Sequence, residues 1–193
     1  MRIQESKIQE YNGTSFKVVK QVLLPPRFSR SILVFSDGAE IENEEYYAEI
    51  MLGDCSECGK MNKLYKDFTY DKVLVLGLGL GLLAETLKIE KECSVVDVVD
   101  NNQELIDYVN YIDDSITIEK ADAFTYKPSK KYDLILVDLW WGPEDITQEI
   151  IDNIENNYKS HLENNGKILI PVIYKSIEQW QKRFNNKIKR VII

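Results

Sequence analysis

The sequence is poor in the residues that metal and disulfide chemistry requires. It has three cysteines, Cys55, Cys58 and Cys93, and one histidine, His161. Cys55-Ser56-Glu57-Cys58 is a lone CxxC. Zinc there would need two more ligands, and only Cys93 and His161 remain to offer them. Cys93 sits just before a predicted strand and His161 near the end of a distant helix. The pair therefore reads as loop thiols, His161 as a surface residue at a helix C-terminus, and no metal site is expected.

Positive charge is also scarce, with 24 Lys and Arg against 32 Asp and Glu and a net charge of −8. That excludes the cationic surface a non-specific nucleic-acid binder needs to displace counterions. It suits a small cationic substrate, although solubility accounts for an acidic surface equally well. No long apolar run occurs: Val73 to Ala84, the most apolar stretch, is too short to span a bilayer and carries three glycines. The opening MRIQESKIQE has no basic region followed by an apolar run, so no signal peptide is read. A cytoplasmic chain with neither nucleic-acid nor membrane partner is expected. At 193 residues and 44% hydrophobic it is long enough for one domain with a small appendage.

What is present divides into two patterns. Tyr11-Asn12-Gly13-Thr14 places Asn-Gly between two mixed strands, and ILVFS-DG-AEIE places Asp37-Gly38 between two more. Both are hairpin signals. Leu24-Pro25-Pro26-Arg27 breaks any continuous strand between them. Residues 1–43 are expected to form a small antiparallel β-hairpin unit, followed by a helix over about 44–52 and a loop.

Residues 44–193 form the second expected unit, and from Lys72 strands alternate with helices. That alternation marks an α/β fold with a mostly parallel, Rossmann-like sheet covered by helices on both faces. Strands are expected at 73–76, 94–99, 116–119, 132–137, 167–173 and 187–193, and helices at 80–90 and 176–184. Asn102 is the expected N-cap of a helix burying Leu105, Ile106, Val109 and Ile112. A long helix after Gly142-Pro143 carries Ile146, Ile150, Ile154, Tyr158 and Leu162, with Gly166 just past its end.

The first parallel strand runs into Gly77-Leu78-Gly79-Leu80-Gly81. Glycines here let the chain turn tightly and let a ligand approach backbone N–H groups. The third glycine of a dinucleotide fingerprint would fall at Leu82, so an NAD enzyme is disfavoured, and no histidine is placed to relay hydride. Asp100 ends the second strand, where a carboxylate can accept from ribose hydroxyls; the competing role is a helix-start carboxylate. Asp97 is harder to place, since a central strand tolerates a charge only when it is paired.

Taken together, several stretches resemble the spermidine synthase family within the class I S-adenosylmethionine-dependent methyltransferase fold. VLVLGLGLGL at 73–82 resembles that family's VLIIGGGDGG, Asp100 to Glu104 its EIDPE-type segment, and Ala121 to Phe124 its GDAF-type segment. Asp37-Gly38 followed by NEEYYAEIM is similar to its DG and DEFxYHEML, and YDLILVDLWW to its YDVIxxD(S/T)(S/T)D. The resemblance covers roughly residues 30–173. It implies that Gly77, Gly79 and Gly81 pass the methionine-derived tail and that Asp100 holds the ribose. It also implies that Asp122 and the Ala123 backbone meet adenine, and that Tyr47 and Asp138 orient and deprotonate an amine acceptor. The cofactor implied is S-adenosylmethionine or its decarboxylated form, the partner a small-molecule acceptor such as an amine, and the assembly a homodimer.

Three departures shift the expected reaction. The family's YHE is Tyr47-Ala48-Glu49, its GGGDGG aspartate is Leu80, and the second acid of its DxxD segment is Trp141. Each removes a polar partner for a cationic amine, at a cost on the order of kcal/mol per charged hydrogen bond. Methyl transfer needs mainly an aligned nucleophile. The leading expectation is therefore a transferase that moves a methyl group to a small acceptor. Trp140, Trp141 and Glu49 line its acceptor pocket, the tryptophans as an aromatic wall or alternatively as a hydrophobic plug. The alternatives are a polyamine aminopropyltransferase, with the amine held by Glu49 or Glu144, and a non-catalytic adenosyl-ligand binder.

Overall fold

The computed structural model describes residues 8–23, 28–35, 40–42, 68–139 and 147–170. The expected helices at 44–52 and 176–184, the strand at 187–193 and the Cys55/Cys58 loop lie outside the described residues.

The N-terminal unit is an antiparallel sheet of β1 (Tyr11–Asn12), β2 (Phe16–Leu23), β3 (Phe28–Phe35) and β4 (Glu40–Glu42), paired in that order. Strands β3 and β4 pair as the second expected hairpin, with Ile32 opposite Glu42 and Val34 opposite Glu40, while its Asp37-Gly38 turn lies outside the described residues. The first differs from its signal. Asn12 pairs with Lys17 inside the ladder and the Gly13 N–H donates to the Phe16 carbonyl at 3.0 Å, so the turn falls at Thr14-Ser15 and not at Asn12-Gly13, and neither Asn12 nor Gly13 has positive φ. A two-residue type I′ turn would need positive φ at both central residues. The loop is instead shaped by a side chain from the second unit, Glu104, to which it donates hydrogen bonds from four consecutive groups of Thr14 and Ser15.

The second unit is a five-stranded parallel sheet in the order β7-β6-β5-β8-β9. Its strands are β5 (Lys72–Leu76), β6 (Val95–Asp100), β7 (Thr117–Lys120), β8 (Tyr132–Val137) and β9 (Leu162–Leu169). Near-continuous apolar strands belong to a sheet buried on both faces. Val73, Val75, Val96 and Val98 join one core with Leu83, Leu87 and Leu105. Leu74, Leu76 and Val99 join another with Ile151, Ile154 and Tyr158 of α3 (Gln148–Tyr158). Helices thus cover both faces, as the alternation of strands and helices predicts.

Helix α1 begins at Leu82, after Gly81 in the left-handed region, and runs as α-helix only over Leu82–Glu85 before widening to a π turn at Thr86–Glu90. The Thr86 hydroxyl donates back to the Leu82 carbonyl at 2.8 Å where the widening starts. Helix α2 (Gln103–Tyr108) has the predicted cap: Asn102 Oδ1 accepts from the Leu105 N–H at 3.1 Å. It stops at Tyr108, short of the expected length, yet Leu105, Val109 and Ile112 are all buried.

The largest correction lies at the end of α3. Leu162, expected on the helix, opens β9, and Gly166 sits inside that strand, not past a helix end. Tyr132 faces Leu162 while Leu134 faces Lys167, so residues 163–166 bulge out of register. Asn165 has φ 69, and a Cβ on Gly166 would stand 2.8 Å from the Tyr132 carbonyl oxygen. Glycine is required by that close approach, not by a helix cap. The helix buries Ile151, Ile154 and Tyr158, with Ile150 at the margin of the stripe.

Candidate functional site at the carboxyl ends of the parallel strands

Four of the predicted site segments stand at the carboxyl ends of neighbouring strands. Gly77 follows β5, Asp100 closes β6, Asp122 and Ala123 follow β7, and Asp138 follows β8. Backbone bonds carry the sheet to this edge: the Gly77 N–H donates to the Val99 carbonyl at 2.8 Å and the Asp138 N–H to that of Leu76 at 2.7 Å. The chain leaves β5 toward β6 and β7 on one side and returns through β8 and β9 on the other. The crevice between β5 and β8 is thus the topological switch point, where open α/β sheets bind ligands.

At that crevice Gly77 has φ 106, a conformation L residues rarely adopt, and a Cβ placed on it would overlap the backbone carbonyl of Asp138. The absence of a side chain is what allows the β5 and β8 loops to meet. Gly79 and Gly81 also have positive φ, 51 and 80. A Cβ on Gly81 would press Val109 Cγ1 at 2.7 Å and Ile112 Cγ2 at 2.9 Å, the close packing a glycine turn permits. Leu78 and Leu80 turn into the core, Leu80 completely buried. The position that resembles the family's GGGDGG aspartate therefore presents no side chain to the crevice.

Asp100 is tied to this loop. Its Oδ2 accepts from the Leu78 N–H at 2.9 Å and its Oδ1 from the Asn102 N–H at 2.8 Å. The helix-start role is realised, because the carboxylate organises the turn into α2, and it also grips the glycine loop. Burial raises its pKa, opposed by the backbone N–H groups of Asn102, Leu78 and Asn101. A carboxylate has about four lone-pair sites, so three amide donors leave room for another.

Asp122 is exposed, with its Oδ1 accepting from the Phe124 N–H of its own loop at 2.9 Å. Its carbonyl accepts from the Thr125 and Tyr126 N–H groups. Ala123 is buried, and its carbonyl accepts the Tyr158 hydroxyl at 2.5 Å, which fixes the loop to α3. Asp138 is half-buried, its carboxyl has no hydrogen-bond partner among the described residues, and burial pushes its pKa up to about 7. Tyr47, Glu49, Trp140 and Trp141 lie outside the described residues.

Two contributions had no signal in the sequence. Tyr111 donates its hydroxyl to the Leu80 carbonyl at 2.8 Å, holding the glycine loop from below. Glu104 accepts five hydrogen bonds from the first hairpin: from Tyr11 Oη, Thr14 N and Oγ1, and Ser15 N and Oγ. Those donors, the Ser15 hydroxyl foremost, hold its carboxyl down at about 2. With about four lone-pair sites available, Glu104 is saturated. Of the two acids in the Asp100–Glu104 segment, only Asp100 keeps acceptor capacity.

Asp97, unexplained from sequence, is paired: its Oδ2 accepts from the Tyr132 hydroxyl at 2.6 Å and the Lys130 ammonium at 2.8 Å. It lies on the face covered by α3 and serves the core. Cys93, the one described cysteine, is buried and its thiol is pushed up to about 11, chiefly by burial, so it is inert. No cluster among the described residues is suited to a metal ion, and no described helix is long and apolar enough to cross a membrane.

No family model matches the chain, and no curated protein matches it. Solved structures of similar fold include the plantazolicin methyltransferase BpumL in complex with a monoazolic desmethylPZN analog and SAH. The TM-score is 0.50 at 21% identity, covering 71% of this chain and 50% of that one. Its complex with a pentazolic analog and SAH gives 0.50 at 22% identity, covering 73% and 51%. The chain spans about half the length of these structures. Its five-stranded parallel sheet, with the glycine turn, Asp100 and Asp138 at one edge, is the Rossmann-like fold of these methyltransferases.

Proposed function

We propose that the chain is an S-adenosylmethionine-dependent transferase that moves a methyl group to a small acceptor. One observation carries this reading. A carboxylate at the end of β6 is hydrogen-bonded to the glycine loop after β5, beside the switch-point crevice. That arrangement suits an adenosyl ligand: the bare backbone at Gly77 and Gly79 admits the methionine-derived tail, and Asp100 accepts from ribose hydroxyls. Asp122 and the Ala123 backbone then face adenine. The likeness in fold to a methyltransferase whose structure holds SAH supports the choice of ligand.

S-adenosylmethionine supplies an electrophilic methyl group when bound. The chain's task is to orient the acceptor and take its proton. Asp138 suits that task, because a carboxyl pushed up to about 7 in a desolvated position can accept a proton near neutrality. Tyr47 and Glu49 would complete the acceptor side, with Trp140 and Trp141 as its aromatic wall. Leu80, buried where an acid would be needed to hold a cationic aminopropyl tail, favours methyl over aminopropyl transfer.

Calorimetric titration with S-adenosylmethionine, S-adenosylhomocysteine, decarboxylated S-adenosylmethionine and NAD tests the proposal. Binding of the first two is expected. Binding of NAD alone would overturn it, and preference for the decarboxylated form with putrescine consumed would replace methyl by aminopropyl transfer.

A further inference from the structure

The hydrogen bonds that saturate Glu104 all come from one place, the tip of the first hairpin, some ninety residues earlier in the chain. The contact does not stop at Glu104. Ser15 Oγ, whose one proton goes to Glu104, also accepts from Asn102 Nδ2 at 3.0 Å. The Asn102 N–H bonds Asp100, and the other oxygen of Asp100 bonds the Leu78 N–H of the glycine loop. A continuous polar path thus runs from Ser15 to the glycine loop through one carboxylate and one turn.

An apolar seat lies beside it. Tyr11 stacks on Phe16 at 4.9 Å and meets Tyr108 of α2 at 5.0 Å, while the Tyr108 hydroxyl bonds the Gln9 carbonyl at 2.6 Å. Tyr108 packs edge-on against Tyr111, whose hydroxyl reaches the Leu80 carbonyl. Two separate routes therefore link the hairpin to the same glycine loop.

We infer that Glu104 is a positioning residue, the latch through which the N-terminal hairpin sets the Asp100–Asn102 turn and the glycine loop for the adenosyl ligand. Released, the hairpin leaves the Asn102 side chain with its cap to Leu105 alone, and the turn bearing Asp100 gains freedom that a ligand would have to remove on binding. Linkage makes the effect reciprocal: a ligand held by Asp100 tightens the hairpin. The ligand named here rests on the proposed function; the coupling between hairpin and loop does not.

The test is amide hydrogen exchange on the full chain, ligand-free, combined with titration of S-adenosylhomocysteine, in Glu104→Gln, Ser15→Ala and Ser15→Thr. In Glu104→Gln and Ser15→Ala, protection of the Leu78 and Asn102 amides is expected to fall roughly tenfold, as one lost charged hydrogen bond implies. Core amides at Val75 and Leu136 should keep their protection, and affinity for S-adenosylhomocysteine should fall in step. Ser15→Thr, which keeps the hydroxyl, should recover both readouts. Loss of protection at Thr14 and Ser15 with Leu78 and Asn102 unchanged would overturn the inference. Where Glu104→Gln fails to fold, Tyr11→Phe removes one of the five bonds and should give the same pattern at smaller amplitude. Failure of the wild-type chain to bind S-adenosylhomocysteine would overturn the proposed ligand, while exchange in the ligand-free protein would still decide the coupling.

Discussion

Asp97 and Tyr132 are joined by a 2.6 Å hydrogen bond although their strands, β6 and β8, are separated by β5. The reach of the tyrosine makes a carboxylate tolerable inside the sheet, and Lys130 supplies the counter-charge from a position half open to water. Asp97 itself is only 7% exposed, and Tyr132 is buried, its pKa raised by burial and by the bond to Asp97.

Removing either partner should strand the other. Asp97→Ala is expected to cost about 1–3 kcal/mol, the penalty of an unsatisfied buried hydroxyl, and Asp97→Asn less because an acceptor remains. The double variant with Tyr132→Phe should cost less than the sum of the two single changes in a denaturant-unfolding cycle. Additivity would show the bond to be energetically idle.

Asp100 accepts from amides on both oxygens, which gives its substitutions a particular signature. Asp100→Asn turns an NH2 group toward one of those amides and is expected to destabilise by about 1–3 kcal/mol. Asp100→Ala should abolish adenosyl-ligand binding by calorimetry. Unchanged affinity in Asp100→Ala would refute the ribose assignment.

The glycines of the loop should differ in their tolerance of alanine. Gly77→Ala meets a backbone carbonyl at a φ of 106, so strain of about 1–3 kcal/mol is expected, together with displacement of Asp138. Gly81→Ala is also strained, at a φ of 80, but its Cβ meets only the side chains of Val109 and Ile112, which can shift. Thermal unfolding of the two variants should therefore rank Gly77→Ala as the less stable.

In the proposed reaction, Asp138 is expected to make stability and activity run in opposite directions with pH. Its folded pKa, about 7, lies above the ordinary value of 3.8, so between those values the folded state holds a proton that the unfolded chain releases. Its contribution is fully present below about pH 4 and is lost as pH rises through 7, at no more than ~1.4 kcal/mol per pH unit. Asp138→Asn should remove that slope from urea-unfolding free energies measured across pH 4 to 8. In the proposed reaction the rate should rise through pH 7 as the carboxylate forms, and Asp138→Asn should erase that limb.

The parallel sheet was legible because its strands are short apolar runs bounded by glycine and polar turns. Tyr132–Val137 was read to the residue and the others within about one, β9 excepted. Asn102 was legible as a cap because capping is chemistry within three residues. The boundary at Leu162 was misread, since Leu162 continues the i, i+4 pattern of α3 while its pairing with Tyr132 draws it into the sheet.

By itself, then, the sequence determined what depends on neighbours along the chain: strand periodicity, the glycine turn, and the acids placed at strand ends. Only the tertiary structure decided which of those acids keeps acceptor capacity, because that depends on donors far away in sequence. Asp100 and Glu104 are four residues apart, yet one faces the glycine loop while the other is filled by a hairpin tip. Asp97 makes the same point, a charge without explanation in its own strand that a tyrosine two strands away renders stable. Hydrogen-bond satisfaction is a property of packed surfaces, and no spacing along a chain encodes it.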